Sequence, residues 1–185
     1  MKDAHTVRAK REGLRARSAY KLEELERKYG FLKGASRVLD LGAWPGGWSI
    51  VASRFAEVVA LDLEPIDPIP GVRCLVGDMR DEVLAESLPA VDVVLCDAAP
   101  KTTGNIEKDQ YDSVVLAQQA LSIARRKLLL GGSFVCKVFQ GEEFEDFLAE
   151  VRSCFGFVKA TKPPTSRKES KEMYVVAMRF APQRS

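Results

Sequence analysis

The sequence is poor in the residues that build metal sites and disulfide frameworks. It has a single histidine, at position 5, and its four cysteines form no C-x-x-C pair. This pattern argues against a zinc site and against a disulfide-stapled fold. Cys96 and Cys136 lie within apolar segments, so we expect reduced thiols in the core. These features predict a cytoplasmic protein that holds no metal ion.

Long apolar runs are also missing. No run approaches the roughly 18 apolar residues that a membrane-spanning helix requires. The N-terminus is polar and basic and lacks the apolar segment of a secretory signal. The length of 185 residues, 46% of them hydrophobic, is typical of one domain with an adequate core. We expect a flexible basic tail over residues 1–12, a single domain over 13–185, and a monomer that does not bind membranes.

The small net charge of +2 hides a polarised distribution. Residues 1–37 carry a net charge of +6 and residues 159–185 carry +5, whereas residues 38–158 carry −9. Two basic ends around an acidic centre are compatible with a polyanion bound by the ends. Solvated basic tails explain the charges of the two ends equally well.

Strand-like and helix-like segments alternate along the chain, as in a doubly wound α/β sheet. The predicted helices cover residues 13–29, 47–55, 80–87, 109–128 and 142–152. The predicted strands cover residues 37–41, 57–62, 72–76, 91–96, 132–138, 155–160 and 173–180. The last two strands are joined by a loop too short for a crossover helix, so they should be antiparallel neighbours. The expected fold is α/β and Rossmann-like, a seven-stranded mixed sheet with the last strand antiparallel, as in S-adenosylmethionine-dependent methyltransferases.

The first strand runs into a glycine-rich loop, DLGAWPGGW over residues 40–48, and then into a helix. This order lets a nucleotide-like ligand approach bare backbone. Asp62 ends the next strand, where a carboxylate can accept both hydroxyls of a ribose. The G-x-G-x-x-G spacing that cradles a diphosphate is absent. The loop therefore favours an adenosine ligand without a diphosphate over a nicotinamide dinucleotide.

Ionisable residues follow several other predicted strands. Asp78 follows the third, Asp97 ends the fourth and Lys137 follows the apolar part of the fifth. Ligands bind beyond the carboxyl ends of the strands in such sheets. A charge at the end of a buried strand is costly unless it is paired or used. Asp97 and Lys137 are therefore either a structural ion pair or members of an active site.

Seven motifs in order resemble the FtsJ/RrmJ (RlmE) family of ribose 2′-O-methyltransferases. They span nearly the whole chain, and they are RSAYKL (17–22), DLGAWPGGW (40–48), LDLEPIDPI (61–69), GDMRDE (77–82), CDAAP (96–100), CKVFQG (136–141) and SKEMYVVA (170–177). Three positions depart from the family pattern. Ala98 follows the aspartate of the CDAAP motif, where the family often has a methionine. Trp44 stands where the family more often has a small residue, and Lys101 follows the proline of the CDAAP motif. The roles of Trp44 and Lys101 stay open.

The resemblance implies S-adenosylmethionine as cofactor and a catalytic tetrad. By motif the tetrad falls on Lys21, Asp97, Lys137 and Glu172. The implied cofactor contacts are Gly42, Gly46, Trp48, Asp62, Asp78 and Asp97. Asp62 would hold the ribose hydroxyls, Asp78 would face the adenine amino group, and Asp97 would lie near the methionine amine.

A ribose 2′-hydroxyl is a weak nucleophile until its proton leaves. Lys137 could remove that proton if burial and the nearby cation Lys21 lower the pKa of its ammonium group. Asp97 and Glu172 would orient the two amines. The tetrad would then support an in-line attack on the sulfonium methyl group, with much of the rate supplied by positioning.

We expect RNA to be bound by basic side chains on both sides of the tetrad in sequence. The candidate contacts are Arg8, Lys10, Arg11, Arg15, Arg17, Arg167, Lys168 and Lys171. Phosphate contacts of this kind supply affinity and register rather than base specificity. The first choice of target is a uridine in the A-loop of large-subunit (23S) rRNA. The tRNA anticodon loop, cap RNA and a non-catalytic role as an RNA-binding ribosome-assembly factor are the alternatives.

Overall fold

The computed structural model describes residues 4–164 and 170–181, and it describes side chains from residue 12 onward. The helices are α1 (Ala4–Tyr29), α2 (Gly47–Ala52), α3 (Glu82–Ser87), α4 (Ile106–Lys127) and α5 (Phe144–Arg152). The strands are β1 (Arg37–Leu41), β2 (Glu57–Asp62), β3 (Val72–Val76), β4 (Val91–Cys96), β5 (Leu128–Phe139), β6 (Phe155–Thr161) and β7 (Glu172–Phe180).

The seven strands form one sheet in the order β3-β2-β1-β4-β5-β7-β6. Strands β1 to β5 are parallel to one another. Strand β7 is inserted antiparallel between β5 and β6. The order reverses direction at β1 and β4, and a ligand crevice is expected outside the carboxyl ends of the strands at such a point. The predicted α/β architecture and its antiparallel last strand are confirmed.

Six of the seven strands begin and end within one residue of the predicted boundaries, but β5 begins at Leu128, four residues before the predicted start at 132, and the first helix is longer than predicted. Helix α1 begins at Ala4, nine residues before the predicted start at residue 13. Most of the segment expected to form a tail thus continues the helix, although its flexibility and the division of the chain into tail and domain stay predictions. None of the helices in the described part of the chain has an apolar stretch long enough to span a bilayer.

Side chains that alternate along the strands build two core layers. Val38 and its neighbours on one face of the sheet pack with Leu22 of α1 and Trp48 of α2. Leu39 and the residues on the opposite face pack with α4 and α5, for example with Leu121 and Phe147. Helices α1 and α2 therefore cover one face, and α3, α4 and α5 cover the other.

Helix α1 packs unusually close to the first turn of α2. A Cβ atom at Gly47 would lie 2.5 Å from the backbone oxygen of Arg15 and 3.0 Å from Cβ of Ser18. Arg15 Nε donates a hydrogen bond of 2.9 Å to the carbonyl of Pro45. We expected the glycines to let a ligand reach the backbone, but Gly47 instead lets one helix approach another.

Gly47→Ala should therefore destabilise the protein, because the added methyl group meets backbone rather than a movable side chain. We expect a loss of roughly 1–3 kcal/mol in the free energy of unfolding, the usual cost of overpacking. Gly13→Ala is the matched control. Gly13 lies in α1 with nothing near its would-be Cβ, so alanine should be neutral or stabilise by about 0.5–1 kcal/mol. Equal stabilities of the two variants in urea unfolding would contradict this account of Gly47.

Candidate active site

A cavity of about 1650 Å³ opens at the carboxyl ends of the parallel strands. Its wall includes Asp62, the last residue of β2, and Gly42, Asp78 and Asp97, which follow β1, β3 and β4. Lys137, near the end of β5, also lines it. Helix α1 contributes the rim on one side and α4 the rim on the other. The residues that sequence analysis placed at the strand ends thus share one site.

The four tetrad residues meet in this cavity although they come from four elements. Lys21 lies on α1, Asp97 follows β4, Lys137 lies on β5 and Glu172 begins β7. They form two ion pairs, Lys137 with Asp97 and Lys21 with Glu172. The antiparallel pairing of β5 with β7 places Lys137 opposite Tyr174, two residues from Glu172.

Lys137 is held tightly by Asp97. Its Nζ lies 3.0 Å from Oδ1 of Asp97 and donates a hydrogen bond of 3.0 Å to the backbone oxygen of the same residue. Asp97 Oδ1 is buried and accepts no well-directed hydrogen bond, so the contact with the ammonium group is electrostatic. The Lys137 side chain is only 9% exposed, and an ion pair so shielded from water is weakly screened.

The lowered pKa that would make Lys137 a ready base is not found in this structure. Burial does act to lower it, but the negative charges of Asp97 and Glu172 together outweigh burial and raise the pKa above its ordinary value. Lys137 therefore carries a proton at neutral pH in this arrangement.

Glu172 joins the two pairs. Burial acts to raise the pKa of its carboxyl group, but the hydrogen bond from Lys21 and the charges of Lys137 and Lys21 lower it below the ordinary value. The Lys21 ammonium group also lies 5.7 Å from the ring centroid of Tyr174. Two cations and two anions thus lie in a half-buried cluster that is close to electrical neutrality.

Ser18 is a site residue that sequence analysis missed. Its hydroxyl donates a hydrogen bond of 2.6 Å to Oδ2 of Asp97, so α1 orients the carboxylate whose other oxygen faces Lys137. The carbonyl of Ser18 accepts a 3.1 Å hydrogen bond from the indole of Trp48. A serine three residues before Lys21, within one helical turn, was the available signal.

Trp48 and Gly46, two of the implied cofactor contacts, are not among the described residues that line the cavity, and their contact with a cofactor stays a prediction. Trp48 is 1% exposed, packs beside Tyr174, and is not among the described residues that line the cavity. Its side chain therefore belongs to the core and fixes α1. Gly46 likewise lies outside the cavity wall, with Ile69 and Arg15 next to its would-be Cβ.

The other cofactor candidates do line the cavity. Both carboxylate oxygens of Asp62 accept backbone hydrogen bonds of 2.9 Å, from Trp44 and Glu64. This fixes the carboxylate and leaves further lone pairs for a ligand. A Cβ atom at Gly42 would lie 2.5 Å from that of Ala98, so this glycine allows the loops after β1 and β4 to touch.

Asp78 has a strong partner that we did not predict. The guanidinium group of Arg80 binds both of its oxygens, with Nη2 2.7 Å from Oδ2 and Nε 3.0 Å from Oδ1. The hydrogen bonds from Arg80 hold the pKa of the Asp78 carboxyl below its usual range. An adenine amino group would have to share this carboxylate with Arg80.

The predicted RNA contacts are only partly brought together. Arg17 is exposed and lines the cavity, Lys171 is exposed, and Arg15 is occupied by its bond to Pro45. Arg8, Lys10 and Arg11 continue α1, but their side chains are not described. Arg167 and Lys168 lie outside the described residues. Lys101, whose role was open, is exposed and lines the cavity.

The cysteines take no part in the site chemistry. All four are free thiols. Burial raises the pKa of Cys96 to about 12 and that of Cys136 well above its usual value, so both remain protonated. Within residues 4–164 and 170–181, no cluster of three or more histidine, cysteine or acidic side chains is arranged to hold a metal ion.

Comparison with known proteins decides the family. The model of the FtsJ-like methyltransferases matches residues 14–180. The chain belongs to the FtsJ-like methyltransferase family. A protein of Methanothrix thermoacetophila named ribosomal RNA large subunit methyltransferase E is 46% identical over the whole of this chain and 76% of that protein. A protein of the same name from Granulibacter bethesdensis is 42% identical over 98% of this chain and 82% of its own length.

Solved structures show the same fold. A crystal structure from Plasmodium falciparum, named a ribosomal RNA methyltransferase, has a TM-score of 0.81 at 29% identity and covers 91% of this chain and 100% of that one. Human methyltransferase-like protein 13, solved in complex with SAH, has a TM-score of 0.60 at 16% identity and covers 92% of this chain and 84% of its own. At this identity the second likeness concerns the fold only.

Beneath the glycine loop of this FtsJ-like protein lies Asp40, which is fully buried. Its Oδ2 accepts a 2.6 Å hydrogen bond from Ser49, while Oδ1 has no partner. Burial, together with repulsion from Asp97 and Asp62, outweighs that hydrogen bond and raises the pKa of Asp40 to about 8. The unfolded chain loses this proton near pH 4.

The stability contributed by Asp40 should therefore fall as the pH rises from about 4 to about 8, since over that range the folded protein holds a proton that the unfolded chain has released. Asp40→Asn should remove this decline and be the more stable protein at pH 8. Asp146→Asn, at an exposed position, is the control. Parallel stability–pH profiles of Asp40→Asn and the wild type in urea unfolding would refute the buried titration.

Proposed function

We propose that this protein transfers a methyl group from S-adenosylmethionine to a ribose 2′-hydroxyl of RNA, with a uridine in the A-loop of large-subunit rRNA as the target. The paired lysines and carboxylates of Lys21, Asp97, Lys137 and Glu172, gathered at one end of a large cavity, carry this proposal. The names of the curated relatives support large-subunit rRNA as the substrate.

The residues of the cavity fit the cofactor. Asp62 has lone pairs free to accept two ribose hydroxyls, because each oxygen is held by only one backbone amide. Asp78 lies in the same wall and can accept from an adenine amino group beside Arg80. When bound, S-adenosylmethionine supplies an electrophilic methyl group on a sulfonium cation.

Lys137 is the candidate general base, and its charge state sets the pH dependence. It must lose a proton before it can accept one from the ribose hydroxyl, and its raised pKa opposes that loss at neutral pH. Asp97 holds the Lys137 ammonium group in place, and Ser18 holds Asp97. Lys21 neutralises Glu172, which limits the attraction that keeps Lys137 protonated.

The exposed basic side chains around the cavity supply phosphate contacts. Arg17 and Lys101 line the opening from α1 and from the loop after β4, and Lys171 is exposed beside Glu172. Since such contacts release counterions, the affinity for RNA should fall as salt concentration rises. RNA shape can then direct a single ribose into the site.

Lys137→Met should lower methyl transfer by about 100-fold or more, the usual contribution of a general base. Labelled S-adenosylmethionine is offered with ribosomal subunits, free rRNA or bulk tRNA, and the modified nucleoside is identified after digestion. Lys33→Met, at an exposed position, is the control. Cofactor binding and thermal melting show whether the Lys137 variant is folded, because its loss leaves Asp97 without its cation.

The distribution of label separates the candidate functions. 2′-O-Methyluridine on large-subunit rRNA, lost with Lys137, supports the whole proposal. Label on tRNA alone keeps the chemistry and overturns the substrate. Cofactor binding without methylation of any RNA favours the assembly-factor role, and normal turnover by a folded Lys137→Met rejects that lysine as the base.

The pH profile of the reaction tests the charge network. Activity should rise with pH as Lys137 loses its proton. Glu172→Gln removes an anion that raises the pKa of Lys137, so the rising limb of the profile should move to lower pH even if the maximal rate falls. Glu145→Gln, at an exposed position, should leave the limb in place. A limb unmoved by Glu172→Gln, or moved to higher pH, would contradict the network.

A further inference from the structure

Tyr20 is a large aromatic side chain left open to solvent beside the tetrad. It is 60% exposed and lines the cavity, one residue before Lys21 on α1. The other tyrosine near the tetrad, Tyr174, is fully buried and packs against Trp48. Tyr20 thus lies at the cavity with most of its side chain open to solvent.

The cavity is larger than one small molecule needs. Ligand pockets usually measure about 300–1000 Å³, and this one measures about 1650 Å³. One end carries Asp62 and Asp78, which suit an adenosine. The other end carries Lys21 and Glu172, which are paired at 2.8 Å. Tyr20 lies at this end because it precedes Lys21 in α1. The second end therefore has room for part of a nucleic acid.

The depth of Lys137 dictates how RNA must enter. Its side chain is only 9% exposed, so a ribose inside a base-paired helix cannot bring its 2′-hydroxyl to Nζ. The nucleotide has to leave the stack, and unstacking costs free energy unless the base finds a new platform. Aromatic side chains are the usual platform for unstacked RNA bases.

A second aromatic residue, Trp44, also lines the cavity and is 39% exposed. Its backbone N–H donates to Asp62 at 2.9 Å, which places it at the adenosine end. Tyr20 is the exposed aromatic residue that adjoins the tetrad in the described part of the cavity. Arg17 precedes it by one helical turn and also lines the opening, where it can bind a phosphate of the same nucleotide.

We infer that the ring of Tyr20 is the stacking platform for the base of the nucleotide whose ribose is methylated. This inference rests on the proposed function. Stacking is tolerant of base identity, since every base has a π-face. Tyr20 would therefore hold the extruded nucleotide and orient its ribose toward Lys137, and any preference for uridine would come from other contacts.

The test compares Tyr20→Ala, Tyr20→Phe and Tyr111→Ala. Tyr111 is 54% exposed on α4 and is not among the described cavity residues, so it controls for the loss of an exposed tyrosine. On the RNA that the wild type methylates, Tyr20→Ala should raise KM for RNA about tenfold and leave the affinity for S-adenosylmethionine unchanged. Tyr20→Phe keeps the ring and should recover most of the RNA affinity.

An abasic target nucleotide isolates the contact. Removing the base should weaken the wild type about as much as Tyr20→Ala does, and the two changes together should cost no more than either one. The inference would be overturned if the two losses of RNA affinity were additive, or if Tyr20→Ala and Tyr111→Ala had the same KM for RNA. Either result would leave the proposed function standing as long as the wild type methylates RNA. Absence of RNA methylation by the wild type would overturn both.

Discussion

The close approach of α1 to the glycine loop is the constraint on which the site depends. Because Gly47 has no side chain, the backbone of α1 at Arg15 and Ser18 can lie against the start of α2. From that position Ser18 reaches Asp97 and Lys21 reaches Glu172, at 2.6 Å and 2.8 Å. Without this contact the sheet would still bring Asp97 and Lys137 together, but Lys21 would not reach Glu172.

The positive and negative charges of the tetrad balance one another. Each lysine faces a carboxylate, and both lysines lower the pKa of the Glu172 carboxyl group. Such a cluster tolerates burial because its net charge is small, but removing one member leaves an uncompensated charge in a poorly hydrated place. The carboxylates of this cluster also keep a proton on Lys137, so the lysine is held in position in its charged form.

The sequence predicted the sheet well for a physical reason. Strands such as Val91–Cys96 are buried on both faces and read as apolar runs that are broken at most by a single polar residue, here Asp92, so their ends are visible without tertiary information. The helix α1 was harder, because its N-terminal half is basic and shows no apolar stripe. Its start was therefore predicted nine residues too late.

Local patterns by themselves determined the fold class and the positions of the strand ends. They also placed Asp62, Asp78, Asp97 and Lys137 in one site, because the carboxyl ends of parallel strands lie along a common edge of the sheet. Lys21 and Glu172 entered only through the family motifs. Only the tertiary structure decided the pairing of these groups, the role of Ser18, the core position of Trp48 and the direction of the pKa shift on Lys137. These depend on which charges lie within a few ångströms in space, and residues up to 151 positions apart in the chain set those distances.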